Sequence, residues 1–175
     1  MYRSIRIVAA GLVAAAVSVL AVTLTADDGV RTVQIRDDCD PATFNADKPV
    51  GPGVGVICGG DGDTTFADFI AELRATHVAE KWRFNPTLTN DTRLVARNRG
   101  GETHTFTPVT TFGGGVNPGL NALSGNPVEA AECADAAKFG ASAVPPGMTS
   151  ATMTAKPGDH FQCCIHPWMR LTVTK

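Results

Sequence analysis

Residues 160–174 read HFQCCIHPWMRLTVT. His160 to Cys163 and Leu171 to Thr174 read as two strands that close the chain around a tight loop. Inside that loop Cys163, His166 and Met169 recur at every third position. This spacing suits a loop that folds back on one metal ion. A soft thiolate, an imidazole and a thioether are donors that copper prefers. An electron-transfer copper site takes two His and one Cys in a plane, with a weak axial Met. The second His must therefore come from elsewhere. His104, within GGETHTF at 100–106, lies on a predicted strand just after a turn and is the candidate.

Upstream of the loop, short alternating runs are separated by turn residues. Lys81 to Phe84, Arg93 to Ala96, Thr103 to Val109 and Met148 to Ala155 read as strands. Asn85-Pro86, Asn90-Asp91, Arg99-Gly100-Gly101 and Lys156-Pro157-Gly158-Asp159 read as turns. Gly113 to Gly119 reads as a Gly-rich, helix-poor stretch, and a short helix is expected within Val128 to Phe139. Such a succession predicts an antiparallel sandwich. Thr64 to Thr76 is the clearest helix. Phe66, Phe69, Ile70 and Leu73 form one apolar stripe at i, i+3, i+4, i+7. Thr65 with Asp68 makes a weak capping box. Val30 to Arg36 alternates as a short strand, and Cys39 to Gly62 reads as a loop.

The region from about Ala79 to Lys175 resembles the cupredoxins, the plastocyanin- and azurin-like type 1 blue copper proteins. The likeness rests on Trp82-Arg83-Phe84-Asn85-Pro86, Asn98 before a turn, His104-Thr105-Phe106, Pro146-Gly147, Pro157-Gly158 and the closing Cys163-x-x-His166-Pro167-Trp168-Met169. It implies an all-β, Greek-key antiparallel β-sandwich; the N-terminal extension before it, containing one helix, is not explained by the likeness. The chain then divides into an export signal or membrane anchor at 1–26, an extension with a disulfide loop and a helix at 27–78, and a cupredoxin domain at 79–175. The likeness implies one copper ion held by His104, Cys163, His166 and Met169. The implied activity is single-electron transfer, not catalysis. In the family the loop His reaches the surface in an apolar patch. Here that patch would comprise His166, Pro167 and Trp168 and would dock a redox partner.

Five cysteines leave one over after pairing. Cys39 and Cys58 bracket the Gly/Pro-rich loop, and a disulfide would staple it. Alternation puts Phe161 and Cys163 on one face and His160, Gln162 and Cys164 on the other. With Phe161 toward the core, Cys163 points inward. Cys133 is the other unassigned cysteine, so Cys133–Cys164 is the second proposed disulfide, with two free thiols as the alternative. A binuclear copper site is disfavoured, because its bridging cysteines are not adjacent. His77 reads as a surface residue at a helix end, where a cation is favourable. His160 reads as an outward-facing non-ligand, and Glu102 as a solvated strand-end carboxylate.

The chain has 175 residues, 43% hydrophobic and 18% charged, with a formal net charge of −2. Plentiful apolar runs exclude a disordered chain. The absence of a basic cluster excludes a nucleic-acid binder. Arg3 and Arg6, the apolar run from Ile7 to Leu24, and then Asp27-Asp28 read as an export signal over 1–26, either cleaved or kept as a membrane tether. Its removal takes away Arg3 and Arg6 and brings the formal charge from −2 to about −4. The expected location is periplasmic or extracellular, where disulfides persist. Besides an electron carrier, a copper storage or delivery protein fits these residues. A copper oxidase or nitrite reductase fits poorly. Four histidines with no His-x-His leave no second copper site.

Overall fold

The computed structural model describes residues 29–46, 57–85 and 92–174. The segment assigned to an export signal or tether lies outside these residues. In chain order the elements are β1 (Val30–Arg36), α1 (Pro41–Phe44), α2 (Phe66–Thr76), β2 (Arg83–Asn85), β3 (Thr92–Asn98), β4 (His104–Thr105) and β5 (Thr107–Val109). They continue with α3 (Pro118–Leu123), α4 (Ala131–Ala134), α5 (Ala136–Ala141), β6 (Ala143–Val144), β7 (Met153–Ala155), β8 (His160–Gln162) and β9 (Arg170–Thr172).

Among the described residues the protein is mostly sheet with short helices. One sheet has the order β2-β1-β3-β7, a second pairs β4 with β6, and a third has the order β5-β8-β9. The expectation of a wholly antiparallel arrangement is corrected at β1, which runs parallel to β3 over Val30↔Arg93 to Ile35↔Asn98. Parallel neighbours need a long crossover. Here the chain between them carries α1, α2 and β2. The strand read as a preamble thus lies in the middle of a sheet. Alternation holds in β3, whereas residues 104–107 and 161–164 are buried on both faces. Leu94 and Ala96 of β3 are buried while Arg93 and Arg97 are exposed.

The four-stranded and three-stranded sheets share one apolar core. Val33, Ile35, Phe84, Leu94 and Ala96 meet Phe106, Phe161, Leu171 and Val173 in one cluster. Phe106 stacks on Phe161 with ring centroids 4.5 Å apart and meets Phe84 edge-on at 5.2 Å. Burying each such ring stabilises by roughly 1.5–3 kcal/mol.

Three local readings change. The stretch from Cys39 to Gly62 contains a one-turn helix, α1, capped by Asp40, whose carboxylate accepts from Ala42 N, with Pro41 opening the turn. Among the described residues before Ala79 there are therefore two helices, where one was expected. The Gly-rich stretch leads into α3, capped by Asn117, with Pro118 at its start. Met148 to Ala155 is strand only over β7. Its earlier part meets the end of β3 through Asn98 N to Met148 O and Ser150 N to Ala96 O. Helix α2 is capped by Thr65, which accepts from Asp68 N, and ends at His77 in the left-handed conformation with φ 64°. Val128 to Phe139 holds α4 and the start of α5.

Both proposed disulfides are formed, Cys39–Cys58 and Cys133–Cys164, leaving Cys163 as the free, buried cysteine. The face carrying Cys164 is not solvent-facing. Cys164 packs with Val109, Ala130 and Cys133 in a second small cluster. Two disulfides fit an oxidising, exported location. Among the described residues no helix is long and apolar enough to cross a membrane.

Candidate metal centre

Antiparallel pairing of β8 with β9 closes the 163–169 loop, with Gln162 opposite Arg170. Backbone bonds tighten it: Cys163 N donates to Met169 O at 3.0 Å and Met169 N donates to His166 O at 2.9 Å. The Arg170 guanidinium donates to Pro167 O at 2.8 Å. Strand β4 supplies His104 beside this loop. Cys164 N donates to Thr105 Oγ1 at 2.7 Å, tying β4 to the loop. Asn98, fully buried, donates to Glu102 O and Val144 O, fixing the turn before β4 against β6.

These constraints bring three donors together. Cys163 Sγ lies 3.7 Å from His104 Nδ1 and 3.8 Å from His166 Nδ1, and the two nitrogens are 3.2 Å apart. All three residues are buried and can hold a metal ion. The sulfur also receives the backbone N–H groups of Thr105 and His166, each at 3.4 Å. Two imidazoles and a thiolate suit zinc and copper alike. Met169, the fourth residue singled out, is 1% exposed and shares the core cluster.

Behind the imidazoles stand two carboxylates. His104 Nε2 lies 2.7 Å from Asp37 Oδ2, and His166 Nε2 lies 3.6 Å from Glu102 Oε2. At His104 the Asp37 acceptor at Nε2 fixes the tautomer and leaves Nδ1 free to ligate, whereas the 3.6 Å at His166 is an ion-pair distance, too long for a hydrogen bond. Asp37 directly follows β1 and also accepts from Gly101 N and Glu102 N. Its position in the chain, far from His104, carried no signal of this contact. Glu102 is corrected from a solvated residue to a buried one. It is 4% exposed and accepts from Trp82 Nε1 at 2.6 Å. Asp37, Glu102 and Cys39 also cluster, but Cys39 is in a disulfide, so that group offers no third free donor.

Protonation follows these contacts. Burial pushes the Cys163 thiol up, but His104 and His166 beside it outweigh burial and hold it well below the ordinary thiol range. Burial pushes the His104 imidazolium down, yet Asp37 and Cys163 lift it well above the ordinary range. Burial also raises Glu102.

The expected exposure of His166 is corrected too. His166 is 2% exposed. Phe69 of α2 meets its ring edge-on at 6.5 Å, and Trp168 does so at 5.4 Å. The stripe on α2, read as core packing, docks onto this spot through Phe69–Trp82 and Phe69–Trp168 contacts at 4.6 and 5.8 Å. Pro167 is buried and Trp168 half-buried, its indole N–H donating to Ala79 O. His77 lies exposed at the end of α2, its Nδ1 2.7 Å from Leu123 O. His160 lies away from the donors, near Thr172 Oγ1 and the Phe112 ring. Comparison with known protein families, with curated proteins and with solved structures found no match to this chain.

Proposed function

We propose that this chain is an exported mononuclear copper protein that carries single electrons between redox partners. The observation that carries the reading is the convergence of His104 Nδ1, Cys163 Sγ and His166 Nδ1 in a buried pocket. Copper bound there supplies one-electron chemistry between its divalent and monovalent states. Cys163 would hold the ion through its thiolate, together with the imidazoles of His104 and His166. Met169, buried and backbone-bonded to both Cys163 and His166, would supply a thioether as a further, weaker donor. Its thioether is what favours copper over zinc in this reading. The backbone N–H groups on the sulfur would tune the potential. We read the two larger sheets as the faces of a Greek-key, cupredoxin-like sandwich that holds the ligands still. No bond of a substrate need be broken, so the role is not enzymatic. A partner would dock over half-buried Trp168 and the adjoining helix α2, since His166 itself is covered.

An absorption spectrum of the copper-loaded protein tests this. An intense visible thiolate-to-copper band is expected, retained in Cys164→Ser and lost in Cys163→Ser. A colourless Cu(II) complex, or the opposite pattern in the two variants, would sink the reading. One observation favours a second function, copper storage or delivery: the aromatic cover over His166 closes the ligand edge. Slow electron self-exchange with ready copper release would select that alternative.

A further inference from the structure

A cavity of about 140 Å³ is bounded by helices α1, α2 and α3 and by the ligand loop. Its floor is buried and includes Phe69, Glu102, Ile165 and His166. Its mouth is formed by half-buried residues, Phe66 and Ile70 of α2 and Leu120 and Leu123 of α3. Two further polar side chains besides His166 line it. Asn117 commits its oxygen to the cap of α3, where it accepts from Gly119 N and Leu120 N. Glu102 is placed otherwise. Trp82 Nε1 and His166 Nε2 both face its Oε2, at 2.6 and 3.6 Å. Among the described residues no hydrogen bond is made at its Oε1.

We infer that this cavity binds a neutral, single-ring phenol, its ring between α2 and α3 and its hydroxyl donating to Glu102. The volume selects one ring: a cavity of about 150 Å³ lined by Leu, Ile and Phe takes up benzene. The walls select an apolar body, and the Phe66 and Phe69 rings favour an aromatic guest through edge-on or offset contacts. The floor selects a hydroxyl. A carboxyl oxygen accepts from an O–H in either protonation state, so the contact does not depend on the charge of Glu102. A guest without a donor would cover that oxygen and leave it unpaired, which is costly. Apolar walls with one convergent polar group are the ordinary make-up of a small-molecule site. Bound in this way the ring lies against His166, so the site links a small molecule to the candidate metal centre. The sequence gave no sign of it. The stripe on α2 read as packing alone, and α3, which supplies the facing wall, fell in a stretch read as helix-poor.

Titration of the full chain, free of metal, with phenol and with benzene tests this. One phenol per chain is expected to bind saturably, roughly fivefold tighter than benzene, the ratio that one net hydrogen bond supplies. The ring-proton resonances of Phe69 and His166 should shift along the same saturation curve. Ile70→Trp and Leu120→Trp place a larger ring at the mouth from two different helices, away from the metal donors. Loss of saturable phenol binding is expected in either variant. No saturable binding to the unsubstituted chain would overturn the inference. Equal affinity for the two probes would do the same, as would unchanged binding in both variants. The inference rests on the cavity and not on the copper reading. A colourless Cu(II) complex would sink that reading alone, and the phenol-to-benzene ratio would still decide this one.

Discussion

Gly100 controls the centre without carrying a donor. A Cβ there would overlap the Asp37 carboxylate, so the close approach of Asp37 to the turn needs a glycine. The sequence offered Gly100 only as a turn residue, because its neighbour is distant in the chain. Gly100→Ala is expected to push Asp37 away from His104 Nε2 and lower metal affinity about tenfold or more. Metal titration of that variant checks this, and unchanged affinity would remove Asp37 from the account. Cys163 stands differently. Pleat aimed it inward beside Phe161, and it is indeed buried with Phe161 in the core. Its donor geometry with His104 nonetheless depends on a contact spanning 59 residues.

Helix α2 lies on the ligand loop, and its apolar stripe is what docks it. Phe69 is 2% exposed and touches Trp82, Trp168 and His166. Phe69→Ala is expected to cost about 3–5 kcal/mol, by chemical denaturation. It also uncovers His166, so electron self-exchange of the copper-loaded variant should rise. A destabilised variant with unchanged exchange would deny α2 its gating effect. The periodicity of α2 was legible because eleven residues repeat one pattern. Helices α1 and α3 were not. Each is a turn or two long, and their Asp40-Pro41 and Asn117-Pro118 starts are the same residues that open turns.

Two disulfides and a metal-ready thiol give the molecule a definite redox inventory. Thiol titration of the denatured, metal-free protein should find one free thiol. Three or five would deny a disulfide. Reducing the Cys39–Cys58 link should cost about 3 kcal/mol on the chain-entropy estimate. Acid stability depends partly on Asp38. Burial nudges its carboxyl up, but hydrogen bonds from Lys81 and Thr64 outweigh this and hold it at about 2, against an ordinary value of 3.8. Its folded-state value is depressed, so its contribution is present above 3.8 and lost as pH falls toward about 2. Melting curves should show Asp38→Asn losing part of that acid limb, and a limb identical to the unsubstituted chain would dismiss the link. Most strands, the α2 helix, the cysteine pairs and the candidacy of His104, Cys163 and His166 were legible in local pattern, spacing and donor type, whereas β6 was not. Side-chain period and donor chemistry are properties of short segments. Only the tertiary structure decided that β1 pairs parallel to β3, that Asp37 and Glu102 back the imidazoles, and that Phe69 and Trp168 close over His166. Those are contacts between distant segments, fixed by how sheets and helix pack, and no local pattern encodes them.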